Sequence, residues 1–104
     1  MAMKTRKHAE ENLLTNYKIL ETDRFFKKLE KFKNHLDDIR EKLKEYVYPQ
    51  LKDQPYFGNN IKKLKDYRPE TWRYRIGDYR IFYQIDGKEK IVSIVSVETR
   101  QDAY

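Results

Sequence analysis

The chain has 104 residues, with 23 Lys and Arg against 17 Asp and Glu, 38% hydrophobic and 14% aromatic residues, which leaves room for one compact domain with a lean, aromatic-rich core. The formal charge of +6 favours polyanionic partners such as nucleic acid, the ribosome or an acidic protein, and equally suits a basic surface with no such role. The absence of cysteine excludes disulfides, thiolate zinc sites and a cysteine nucleophile, and it fits a reducing compartment, so the cytoplasm is the expected location.

Residues 1–14 are polar and aperiodic and read as an N-terminal tail or extension, with a single domain expected over 15–104. The basic opening has no apolar h-region behind it, and no stretch approaches the ~18 apolar residues of a membrane span. Tyr17 to Glu21 reads as a short strand. Thr22-Asp23 then supplies N-cap chemistry for a helix with Phe25, Phe26, Leu29 and Phe32 on one stripe. Asn34-His35 interrupts that stripe, and Leu36, Ile39, Leu43, Tyr46 and Val47 resume at helical spacing, giving a helical hairpin whose second arm is expected to end at Pro49. The turn formers from Pro55 to Asn60 imply a surface loop of about a dozen residues.

The last third changes to a period of two. Trp72, Tyr74 and Ile76 alternate with Arg73 and Arg75; Ile81, Tyr83 and Ile85 alternate with Arg80, Phe82 and Gln84; Ile91 to Val97 adds a β-branched strand. Gly77-Asp78 and Asp86-Gly87 mark the reversals. The expectation is an α+β fold of order β-α-α-β-β-β, with the helical hairpin packed on one face of a small, mainly antiparallel sheet.

If the apolar set faces the helices, Arg73, Arg75 and Arg80 share the opposite face. Three guanidinium forks on one surface suit phosphate oxygens; each could instead pair with a carboxylate such as Glu70, Asp78 or Glu98 on a solvated sheet face. Phe82 on that face offers a stacking platform for an unpaired base, or packs in a small satellite core. Upstream, Lys62, Lys63, Lys65 and Arg68 form a basic cluster, relieved only by Asp66, that would follow a nucleic-acid backbone, or else a solvated lysine-rich helix or loop. His8 and His35 form no pair for metal or acid–base work, and no phosphate-binding glycine loop or metal motif is present, so no metal and no cofactor are expected.

Leu64 to Tyr67, then Trp72-Arg73-Tyr74-Arg75-Ile76-Gly77-Asp78-Tyr79-Arg80-Ile81-Phe82-Tyr83-Gln84-Ile85, the strand from Ile91, and the closing Arg100-Gln101-Asp102-Ala103-Tyr104 together resemble the RelE/ParE toxin superfamily over roughly residues 15 to 104. The resemblance implies a toxin of a type II toxin–antitoxin pair, with a cognate antitoxin as partner, that cuts mRNA at the ribosomal A site without metal by 2′-hydroxyl attack. It implies a catalytic set of Arg73, Arg75, Arg80, Arg100 and Tyr104, with Arg80 on the scissile phosphate. Arginines stand where some members carry lysines, and Thr99 where a histidine often precedes the last-strand arginine, so the general base is unassigned between Tyr104 and Glu98. The alternatives are a ParE-like, non-enzymatic inhibitor of DNA gyrase and an inactive RNA-binding relative.

Overall fold

The computed structural model describes residues 16–99, so the expected tail lies outside the described residues. The elements are β1 (Lys18–Glu21), α1 (Asp23–Leu29), a 3₁₀ segment (Glu30–His35), α2 (Leu36–Lys42), a π-turn (Leu43–Val47), α3 (Tyr48–Asp53), β2 (Ile61–Lys63), β3 (Trp72–Ile76), β4 (Tyr79–Asp86) and β5 (Ile91–Thr99). The five strands form one sheet in the order β1-β5-β4-β3-β2. β1 runs parallel to β5, and the other three pairs are antiparallel. The expected α+β class and helix-on-sheet arrangement are what is observed, with β2 as an added edge strand.

Local chemistry explains the helical region. The Thr22 hydroxyl accepts from the Phe25 amide at 3.2 Å and donates to the Ile94 carbonyl at 2.7 Å, so one side chain caps α1 and ties it to the sheet. The helical path then bends where Phe32 (φ −117, ψ 41) and His35 (φ −122, ψ 12) leave helical geometry. Beyond the bend, Arg40 comes back within 5.8 Å of the Phe25 and Phe26 ring centroids and bonds Glu21 at 2.6 Å. Pro49 does not end the second arm, as the sequence suggested. The wider π-turn over Leu43–Val47 resets the hydrogen-bond ladder so that the proline falls in the first turn of α3, where its missing N–H costs nothing, and the helix continues to Asp53.

The core joins Phe25, Leu29, Phe32, Ile39, Leu43, Val47 and Leu51 to Tyr74, Ile81, Tyr83, Val92, Ile94 and Val97 of the sheet. Each fully buried side chain of this size contributes roughly 1.5–3 kcal/mol relative to exposure. Phe26, Leu36 and Tyr46, assigned to apolar stripes by spacing, are exposed. Loop 54–60 is shorter than the sequence suggested because β2 begins at Ile61, and the Tyr83 hydroxyl pins it to the core through the Pro55 carbonyl at 2.8 Å.

Gly77 sits at φ +57 in the two-residue turn between β3 and β4, the backbone that a tight hairpin demands and that glycine adopts without strain. The β4–β5 reversal uses four residues rather than a dipeptide; the Asp86 carboxylate accepts from the Lys88 and Glu89 amides at 3.1 and 3.0 Å.

Candidate nucleic-acid interface

Residues directly opposite one another in neighbouring strands share a face, so the register builds the sheet face opposite the described helices row by row. One row is Lys62–Arg73–Phe82–Ser96 across β2, β3, β4 and β5. The next is Arg75–Arg80–Glu98 across β3, β4 and β5. Arg73, Arg75, Arg80 and Phe82 therefore emerge on one face, as alternation requires. Arg75 and Arg80 face each other across the ladder. Like charges so placed are destabilising by themselves, and Glu98 is the carboxylate of that row.

Exposure separates these residues. Arg75 is exposed, Arg73 and Phe82 are half-buried, and Arg80 is only 3% exposed, so the guanidiniums do not stand as three equal solvent-facing groups. Arg80 lies on β4, at the centre of the sheet between β5 and β3.

The lysine cluster is divided rather than continuous. Because Lys62 and Lys63 lie on a strand and not on a helix or loop, they point to opposite faces: Lys62 joins the row of Arg73, while Lys63 pairs with Glu70 at 3.0 Å and lies 5.8 Å from the Trp72 ring centroid. Lys65 is exposed in the loop that follows. Arg100 and Tyr104 lie outside the described residues.

Tyrosines with perturbed acidity lie elsewhere. Burial, and then its hydrogen bond to Glu21, raises Tyr48 on the helical side, and burial raises Tyr83 in the core; both stay protonated phenols at neutral pH.

A cleft of about 230 Å³ opens on the arginine-bearing face, lined by Arg24, Tyr67, Arg68, Pro69, Thr71, Phe82, Gln84, Val95, Ser96 and Glu98. Sequence reading missed Arg24, Thr71, Gln84 and Ser96 as site residues. Parity with Phe82 would have found Gln84. It could not have found Ser96 beside Ser93, because a bulge at Val95 shifts the β5 register between Tyr83↔Ile94 and Phe82↔Ser96. Among the described residues, no group of three or more His, Asp or Glu side chains could hold a metal ion, and no helix is long and apolar enough to cross a membrane.

The family model for the ParE toxin of the type II toxin–antitoxin system, parDE, matches residues 2–104. No curated protein sequence matches the chain. Among solved structures, the RelBE2 toxin–antitoxin complex from Mycobacterium tuberculosis is similar at 25% identity and a TM-score of 0.65, over 83% of this chain and 93% of that one. The RelB–RelE antitoxin–toxin complex from Methanococcus jannaschii is similar at 26% identity and a TM-score of 0.58, over 82% and 94%. A YoeB/ParE toxin from Agrobacterium tumefaciens shares the fold at 19% identity and a TM-score of 0.61, over 79% and 97%.

Proposed function

This chain belongs to the ParE toxin family of type II toxin–antitoxin systems, and from the arginine-bearing sheet face we propose that it is a metal-independent endoribonuclease that cuts mRNA in the ribosomal A site. The observation that carries the reading is the paired rows, Arg75 opposite Arg80 and Arg73 opposite Phe82, on the sheet face opposite the described helices. In the proposed reaction a ribose 2′-oxygen attacks the adjacent phosphorus, the bond to the 5′-oxygen breaks, and the 2′-hydroxyl proton is passed on to the leaving oxygen. Negative charge builds on the non-bridging oxygens in between, and guanidiniums already held on a sheet stabilise that charge more than they stabilise the ground state.

Arg73, Arg75 and Arg80 are assigned to the phosphate, Phe82 to a neighbouring base, and Lys62 and Lys65 to the flanking backbone, with Arg100 and Tyr104 completing the set. Two of the similar solved structures, those from Mycobacterium tuberculosis and Methanococcus jannaschii, are toxin–antitoxin complexes, which supports a cognate antitoxin as the protein partner. The burial of Arg80 favours a second reading, an inhibitor of DNA gyrase without phosphate chemistry, in which this arginine is a structural ion.

Mapping mRNA 5′ ends after controlled expression separates the two. New ends inside translated reading frames are expected, and Arg75→Ala, at an exposed position, is expected to lower their yield by about 10²–10³-fold. Intact messages with arrested replication would overturn the nuclease reading in favour of gyrase.

A further inference from the structure

The cleft beside the arginine rows has more structure than a groove between side chains. Its aromatic groups come from separate elements: Phe82 from the sheet and Tyr67, 54% exposed, from the loop between β2 and β3. Ser96 is 3% exposed, and its hydroxyl has no hydrogen-bond partner among the described residues, so a buried donor and acceptor sits unused on the cleft wall. Gln84 presents an amide and Glu98 a carboxylate to the same space, while Arg24 and Arg68 bring two cations to it. At about 230 Å³ the space is below the ~300–1,000 Å³ usual for drug-sized ligands.

The cleft is continuous with the arginine rows. Phe82 lies opposite Arg73, and Glu98 lies opposite Arg80. Phe82 is two positions from Arg80 along β4, about 7 Å on one face.

We infer that this cleft receives one unpaired base of the RNA, next to the cut phosphate, held between Tyr67 and Phe82 with its edge against Ser96 and Gln84. The inference rests on the nuclease reading and extends it to a base-selecting site. Aromatic surfaces supply sequence-tolerant stacking, since every base has a π-face, whereas a buried hydroxyl and an amide discriminate, because the wrong edge leaves them unpaired. The arginines at the cleft neutralise the phosphates on either side of that base.

The test uses full-length toxin with ribosomes programmed by mRNA that carries an abasic nucleotide on one or the other side of the cut phosphate, measuring both equilibrium binding and cleavage. At one of the two positions the abasic substrate is expected to bind roughly tenfold or more weakly. Tyr67→Ala should lose as much on intact mRNA, and the two losses should not add. Ser96→Ala should change the relative cleavage rates among the four bases at that position. Tyr67 is exposed on a loop, so its removal leaves folding intact. Additive losses, or unchanged binding by Tyr67→Ala, would overturn the inference. Weakened antitoxin binding by Tyr67→Ala with RNA binding untouched would assign the cleft to the antitoxin and overturn it as well. Base-sensitive binding without any cleavage would sink the nuclease reading and leave the base site standing.

Discussion

Alternate residues of the same strands build two faces with opposite physics. On the helix side, Tyr74, Ile81, Tyr83, Val92, Ile94 and Val97 are buried in one continuous core. On the other side, one residue away at each step, stand Arg73, Arg75, Arg80, Phe82, Ser96 and Glu98. The first face is explained by burial alone. The second is not, since opposing two arginines and burying a hydroxyl that has no hydrogen-bond partner among the described residues add nothing to stability by themselves. What the contrast teaches is that folding accounts for one face of this small sheet and leaves the other to be explained by a role of its own.

The sharpest way to break the comparison is to truncate each face in turn. Tyr83→Ala is expected to cost roughly 3–5 kcal/mol in denaturant unfolding, because it empties a fully buried site and abandons the bond to Pro55. Arg75→Ala, measured the same way, should stay within about 0.5 kcal/mol of the parent. Equal losses would mean that the far face is structural after all.

A smaller effect sharpens the division inside the lysine cluster. Lys62→Ala should reduce the slope of log affinity against log salt for RNA by about 0.7, the contribution of one phosphate contact to a single strand. Lys63→Ala should leave the slope alone, since its ammonium is engaged by Glu70 and lies by the Trp72 ring. Identical slopes for both variants would contradict the opposed orientation.

The smallest expected effect concerns pH and belongs to the buried side. Tyr48 and Tyr83 have raised folded-state pKa values, so above the ordinary phenol value of about 10 the unfolded chain gives up protons that the folded chain keeps. The stability they contribute is complete below that pH and is lost as the pH rises beyond it. Tyr48→Phe should make the alkaline decline in unfolding midpoint shallower; an unchanged decline would remove Tyr48 from the account.

The hairpin of β3 and β4 was legible because everything in it is local: a period of two, a Gly77-Asp78 turn with the required positive φ, and register set by both. The Thr22 cap was legible for the same reason. β2 was not, since three residues bearing two lysines carry no strand signal and become a strand only by pairing with Trp72 to Tyr74. The helix running past Pro49 was hidden because the sequence rule assumes an unbroken α ladder, which the π-turn replaces. The cleft was hidden for a longer-range reason: it brings Arg24, the loop at Tyr67 to Pro69, and the bulged strand β5 together, and no spacing along the chain encodes that meeting.

The parallel pairing of β1 with β5 has a consequence for the order in which the molecule can assemble. The first described strand finds its neighbour in the last, and the Thr22 hydroxyl bonds a carbonyl 72 residues away. Closing so long a loop is slow compared with forming the hairpin, so β1 and the base of α1 must wait for the C-terminal strand. A nascent chain interrupted before Ile91 would have a helix whose cap lacks its sheet anchor, a strand with no neighbour, and neither Ser96 nor Glu98 beside the arginines. Only synthesis through β5 delivers the whole surface, which ties the appearance of the arginine face to the making of that strand.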